Sequence, residues 1–91
     1  MADAEERFQA LFSANYGDVL AYALRRCRSR QDAEDVTAET FAVAWRRINQ
    51  VPAGEHARAW LFGAAHLVRL NQAVRMAVSW GISYYLLARY A

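Results

Sequence analysis

The sequence predicts an all-α domain of three or four helices joined by short loops. Two observations lead there. Apolar residues recur at helical spacing in three stretches of the 91-residue chain, the pattern that lays one helix face on a core. No stretch alternates apolar and polar residues over strand length, and the one proline, Pro52, lies with Gly54 between two of the stripes.

The first stripe is Phe8, Leu11, Phe12, Tyr16, Val19, Leu20, Ala23, Leu24 and Cys27. Asp3 is placed to cap its start, and Glu5 and Glu6 suit the positive end of the helix dipole. Arg25, Arg26 and Arg28 suit the other end. Gly17 interrupts the stripe, so a kink, or two helices meeting near 15–18, is expected. Ser29 then offers an N-cap with Asp32 three residues on, close to a capping box. A second helix is expected from about Arg30 to Ile48. The segment NQVPAGEH reads as a loop. Beyond it Ala57, Trp60, Leu61, Ala64, Leu67 and Val68 make the third stripe.

From Met76 to Ala88 there is no charged residue. That is shorter than the ~20 apolar residues a membrane-spanning helix needs. Extending the segment to 73–91 reaches that length only by taking in Arg75, Ser79, Gly81 and Ser83. A packed or frayed helical end is expected, with an interfacial or partner-binding helix as the rival. The chain thus divides into a helical domain, residues 1–72, and a divergent apolar tail, residues 73–91, also helical.

Net formal charge is +2, too small alone to mark a nucleic-acid binder. Its distribution says more. Residues 1–24 set Asp3, Glu5, Glu6 and Asp18 against Arg7, whereas residues 56–91 hold Arg58, Arg69, Arg75 and Arg89 and no acid. Every basic residue is arginine, which forks onto carboxylates and phosphates as lysine does not. Genomic base bias is the favoured explanation of the alanine-rich, lysine-free composition. The single cysteine, Cys27, allows no internal disulfide and reads as a small buried hydrophobe suited to a reducing compartment. The acidic start MADAEERF has no apolar core, so no signal peptide is expected and a cytoplasmic location is. His56 and His66 do not share a helix face, and no Cys, Asp or Glu follows Glu55. Neither a metal cluster, a nucleophilic triad nor a glycine-rich phosphate loop can be built from this pattern. No enzyme activity, cofactor or small-molecule substrate is expected.

The second helix carries the most informative pattern. Stepping one hundred degrees per residue from Val36 gathers Ala33, Val36, Phe41, Val43, Ala44, Trp45 and Ile48 on one broad arc. Asp32, Asp35, Glu39 and Arg46 fall on a narrow strip outside it. Asp32 is explained by capping. Asp35 and Glu39 are like charges at i, i+4, which costs a few tenths of a kcal/mol. Such a pair is either a solvated face or a surface presented to a basic partner.

DAEDVTAETFAVAWRRI, residues 32–48, resembles the signature helix of bacterial sigma factors of the extracytoplasmic-function group. The matching elements are Asp32-Ala33-Glu34-Asp35, then Glu39-Thr40-Phe41, then Ala44-Trp45. RFQALFSANYGDVLAYALRRC is similar to the preceding helices of sigma region 2. ARAWLFGAAHLVRLNQ, with Trp60-Leu61, is similar to the promoter-melting helix that follows. The likeness covers roughly residues 5–72.

The resemblance implies a region 2 bundle whose second helix docks on the β′ clamp helices of core RNA polymerase through Asp32, Asp35, Glu39, Thr40 and Arg46. It further implies that the loop Asn49–Glu55 and the next helix hold the non-template strand of the promoter −10 element, with a base flipped from the stack. Asn49 and Gln50 would read base edges. Arg58 and Arg69 would meet phosphates, His66 would donate when protonated, and Trp60 would stack on a base. Trp60 fits a core seam equally well, Phe41 is favoured as core, and a surface or seam role is open to His66.

The sequence departs from the family pattern at Ala38 (usually Gln), His66 (usually Arg) and Leu67 (usually Asn). The basic cluster after it is reduced to Arg75, and the region 4 domain is expected to be absent. The rival reading is therefore an interaction module that binds core polymerase or an anti-sigma factor without promoter DNA. A membrane-associated helical protein using its aromatic tail is the third.

Overall fold

The computed structural model describes residues 3–90, apart from the side chains of 76, 79, 80, 82–86 and 90. Three helices follow in order: α1 (Ala4–Arg26), α2 (Arg30–Arg46) and α3 (His56–Tyr90), with a 3-10 turn (Ile48–Gln50) between the last two. No strand occurs among the described residues, as the all-α expectation required.

The Asp3 carboxylate caps α1, accepting from the Glu6 N–H at 2.8 Å. Of the two alternatives expected at Gly17, separate helices are not found: α1 is one continuous helix. A glycine inside a helix costs about 1 kcal/mol against alanine. Burial outweighs it here, because Leu11, Val19 and Ala23 keep helical phase across Gly17 and all three are buried. Ser29 caps α2, its Oγ accepting from the Asp32 N–H at 3.0 Å. α2 ends at Arg46, two residues short of the expected Ile48. Ile48 instead opens the 3-10 turn and is buried there. Gly54 has φ +67°, a left-handed conformation that favours glycine. Its carbonyl accepts from the Ala57 N–H at 3.2 Å as α3 begins.

The core forms where the helices cross. Val19 and Ala23 from α1, Val36, Phe41 and Ala44 from α2, and Leu61, Ala65 and Val68 from α3 are buried, with Ile48 and Val51 closing the loop end. Each large apolar side chain buried this way stabilises the fold by roughly 1.5–3 kcal/mol. On α3 the core-facing series is 61, 65 and 68. Leu67, expected on that face, is one position off it and 67 % exposed.

At ~1.5 Å per residue the 35 residues of α3 make a rod of about 52 Å, which sets the 62 Å long dimension of the molecule. The helix runs through position 72 without interruption, so the tail is the continuation of α3 rather than an additional helical segment. Among its described side chains Val74, Val78 and Leu87 are exposed. The side chains of its four aromatic residues, Trp80, Tyr84, Tyr85 and Tyr90, on which the membrane reading of the tail depended, lie outside those described. Among the described residues no helix is long and apolar enough to cross a membrane.

Candidate functional site

On α2 the exposed side carries Asp35, Glu39 and Arg46. Arg46 Nη2 lies 3.2 Å from Glu39 Oε1, with both side chains about half exposed or more (61 % and 47 %). Glu34, on the flank, pairs with Arg30 at 2.9 Å. Asp35 has no ion pair among the described residues. The strip therefore points outward with one uncompensated carboxylate.

Two residues of the expected docking set, Thr40 from the resemblance and Asp32 from the strip, do not face outward with Asp35 and Glu39. Thr40 is fully buried, 0 % exposed, and its hydroxyl donates to the Val36 carbonyl at 2.7 Å. Thr37 does the same to Ala33. A side chain sealed in this way offers no surface for docking, because its position is on the core side of the helix. Asp32 is half-buried and turns toward α3, lining a groove with Cys27 and Arg69. Burial pushes the Cys27 thiol above its ordinary range. The nearby Asp32 carboxylate adds to the rise and the Arg69 guanidinium opposes it. Cys27 is the C-cap of α1, half-buried, and its N–H donates to the Ala23 carbonyl at 2.8 Å.

Phe41 is buried, as favoured. Trp45, expected on the apolar arc, is 48 % exposed and stands edge-on to Phe8 with ring centroids 5.3 Å apart. Phe12 and Tyr16 extend this aromatic edge along α1, beside the charged strip.

The residues expected to meet DNA fall into three groups. Asn49 and Gln50 are exposed on the 3-10 turn. Arg7 ties that turn to α1, donating to the Ile48 carbonyl at 3.0 Å and to Asn49 Oδ1 at 3.5 Å. The loop borders a recess of about 300 Å³ lined by Arg7, Asn15, Ile48, Pro52 and Gly54, among others. Trp60 is half-buried on the α2 side of α3, in a groove of about 920 Å³ with Arg46, Arg47, Leu67 and Asn71. Arg58, His66 and Arg69 lie on the other flank, toward α1. Arg58 is 3.4 Å from Asp18 and sits over the Phe62 ring, 5.2 Å from its centre. His66 Nδ1 is 3.5 Å from Arg69 Nη2. Arg69 Nε is buried with no hydrogen-bond partner. Trp60 and the three basic residues thus do not form one surface.

Sequence reasoning missed a ladder on the α1–α3 side. Tyr22 and Phe62 stack with centroids 5.3 Å apart, and Arg26 covers the outer face of Tyr22 at 4.0 Å. Asp18, Tyr22 and Arg26 are spaced by four residues, as are Arg58 and Phe62. That spacing is visible in the sequence, but its meaning requires the register of α1 on α3. Among the described residues no three His, Cys, Asp or Glu side chains gather where they could hold a metal ion.

A family model for sigma-70 region 2 matches residues 11–76. No curated protein and no solved structure matches the chain. The matched span takes in most of α1, all of α2 with its outward strip, the loop, and α3 as far as Met76. Region 2 is the part of a sigma factor that binds the RNA polymerase core and takes part in promoter melting. With a three-helix architecture to fit and the match running over most of its length, the chain belongs to the sigma-70 region 2 family.

Proposed function

We propose that this chain is a region 2 domain of the extracytoplasmic-function group of sigma factors, acting in the cytoplasm to bind core RNA polymerase and open the promoter −10 element. Asp35, Glu39 and Arg46 dock on the β′ clamp helices, with charge complementarity setting the register of one helix on another. The loop Asn49–Glu55 and α3 engage the non-template strand. Asn49 and Gln50 read base edges, the recess beside them receives a flipped base, Trp60 stacks, and Arg58, His66 and Arg69 meet phosphates. The observation that carries this reading is the family match over residues 11–76, which spans the strip, the loop and α3 together.

The test has two steps. The intact chain is used to pull down core polymerase, and its binding to a single-stranded −10 oligonucleotide is measured over a range of salt. Capture of core together with a steep log–log salt slope supports promoter engagement. Core capture without oligonucleotide binding at low salt supports the rival, a module that binds core or an anti-sigma factor but not promoter DNA. Two observations favour that rival: Arg58 is already paired with Asp18, and Trp60 faces a different groove from Arg69. Failure to capture core overturns the promoter reading and leaves only the anti-sigma form of the rival.

A further inference from the structure

We propose that the groove at the junction of α1, α2 and α3 is a binding site for a phosphate-bearing ligand, with Arg26, Arg28 and Arg69 as its anchors. The groove encloses about 480 Å³, within the range that holds small ligands. Three guanidinium groups line it against a single carboxylate, that of Asp32, so its net charge is positive. Arginine presents several N–H donors in one plane, the geometry that phosphate oxygens match in pairs.

Each arginine has unused donor capacity. The guanidinium of Arg26 lies over the Tyr22 ring, 4.0 Å from its centre, a contact that engages the π face and leaves its N–H donors without a hydrogen-bond or ion-pair partner among the described residues. Arg28 is exposed in the short link between α1 and α2 and makes no ion pair among the described residues. Arg69 carries a buried Nε without a partner, a condition native structures rarely leave uncompensated. Gln72, half-buried beside it, adds an amide donor. Cys27, Ala73 and Ala77 form the apolar wall of the groove, which stays open to solvent. Arg69 is shared with the surface proposed to meet DNA phosphates, whereas Arg26 and Arg28 lie outside it, so the site can stand without the promoter reading.

Phosphate groups of this kind come from a free phosphorylated small molecule or from a nucleic-acid backbone, and the test separates the two. Binding of sodium pyrophosphate to the intact chain is measured by calorimetry at low ionic strength. Saturable binding is expected, weakened about five- to tenfold by Arg28→Gln, the loss of one charge-assisted hydrogen bond. Arg69→Lys, which keeps the charge and loses the fork, weakens it as well. Asp32→Asn tightens it by removing the opposing charge. Arg75→Gln removes an equal charge on the α2–α3 side and leaves it unchanged. Circular dichroism confirms that each variant keeps its helix content. An oligonucleotide without terminal phosphates identifies the source. If Arg28→Gln weakens it too, backbone phosphates occupy the groove, and if only pyrophosphate is affected, a free ligand does. The proposal is overturned if pyrophosphate does not saturate, or if Arg75→Gln weakens binding as much as Arg28→Gln.

Discussion

Arg46 reaches back two turns along α2 to Glu39, Nη2 to Oε1 3.2 Å, while Asp35, one turn before Glu39, has no ion pair among the described residues. An exposed pair of this kind contributes little to stability, at most about 1 kcal/mol, and salt screens it. In the docking proposed for this strip its effect would be larger, since Arg46 partly neutralises Glu39 and leaves Asp35 as the stronger local charge. Asp35→Arg alone is expected to weaken binding to core polymerase by about tenfold or more, and more than Glu39→Arg does. The double substitution is expected to abolish binding with helix content unchanged. Affinity titrations alongside circular dichroism check both, and a double variant that binds core normally removes the strip from the interface.

Thr40 provides the converse test on the same helix. Its hydroxyl is spent on the Val36 carbonyl inside the core. Thr40→Val keeps the shape and loses that bond, so unfolding stability should drop by about 0.5–1.5 kcal/mol. Affinity for core polymerase should not change. Chemical denaturation and the same binding titration separate the two effects.

Gly17 is exposed within the unbroken α1, and a Cβ added there meets nothing within 4 Å. Gly17→Ala should therefore recover most of the glycine penalty, about 0.5–1 kcal/mol, and raise the melting temperature by several degrees. A loss of stability would mean that α1 bends at this point in solution.

Features set by neighbours along the chain were legible in the sequence. Asp3 and Ser29 cap because the bonds they make are local, and the outward direction of Asp35 and Glu39 follows from the helical step alone. At Gly17 propensity suggested two helices, but the core residues Leu11 and Val19 on either side of it belong to one continuous helix. Asp32 was placed on the strip by the helical step, and Thr40 joined the docking set through the motif it belongs to. Their actual surroundings depend on where α3 crosses α2, which periodicity does not encode. The same is true of Leu67, displaced from the core by one residue's rotation, and of the division of Trp60 from Arg58, His66 and Arg69 between the two flanks of α3.

Asp18 limits what Arg58 can do. Their 3.4 Å contact is largely exposed, with side chains 58 % and 49 % accessible, so its loss should cost under ~1 kcal/mol of stability. Asp18→Asn releases Arg58 and removes a negative charge from the phosphate-facing flank. Binding of a single-stranded −10 oligonucleotide should tighten about two- to threefold, and the magnitude of its log–log salt slope should rise by up to about one. Unchanged affinity would take Arg58 out of the set that meets DNA.

Cys27 reports on the groove it lines. Burial raises its pKa, Asp32 raises it further and Arg69 lowers it. Because the folded value is raised, the neutral thiol is favoured in the folded state. Its contribution to stability is complete below the unfolded value and fades as pH rises through the folded one. Below that range little thiolate is present, so alkylation by iodoacetamide near pH 8 should be slower than in the unfolded chain. Asp32→Asn removes a charge that disfavours thiolate and should speed the reaction about two- to threefold. Arg69→Gln removes one that favours it and should slow the reaction. The opposite signs distinguish an electrostatic effect from a general opening of the fold, which would speed both. Pyrophosphate seated against Arg28 and Arg69 would bring further negative charge to the thiol, and the wild-type alkylation rate should fall as the ligand is added.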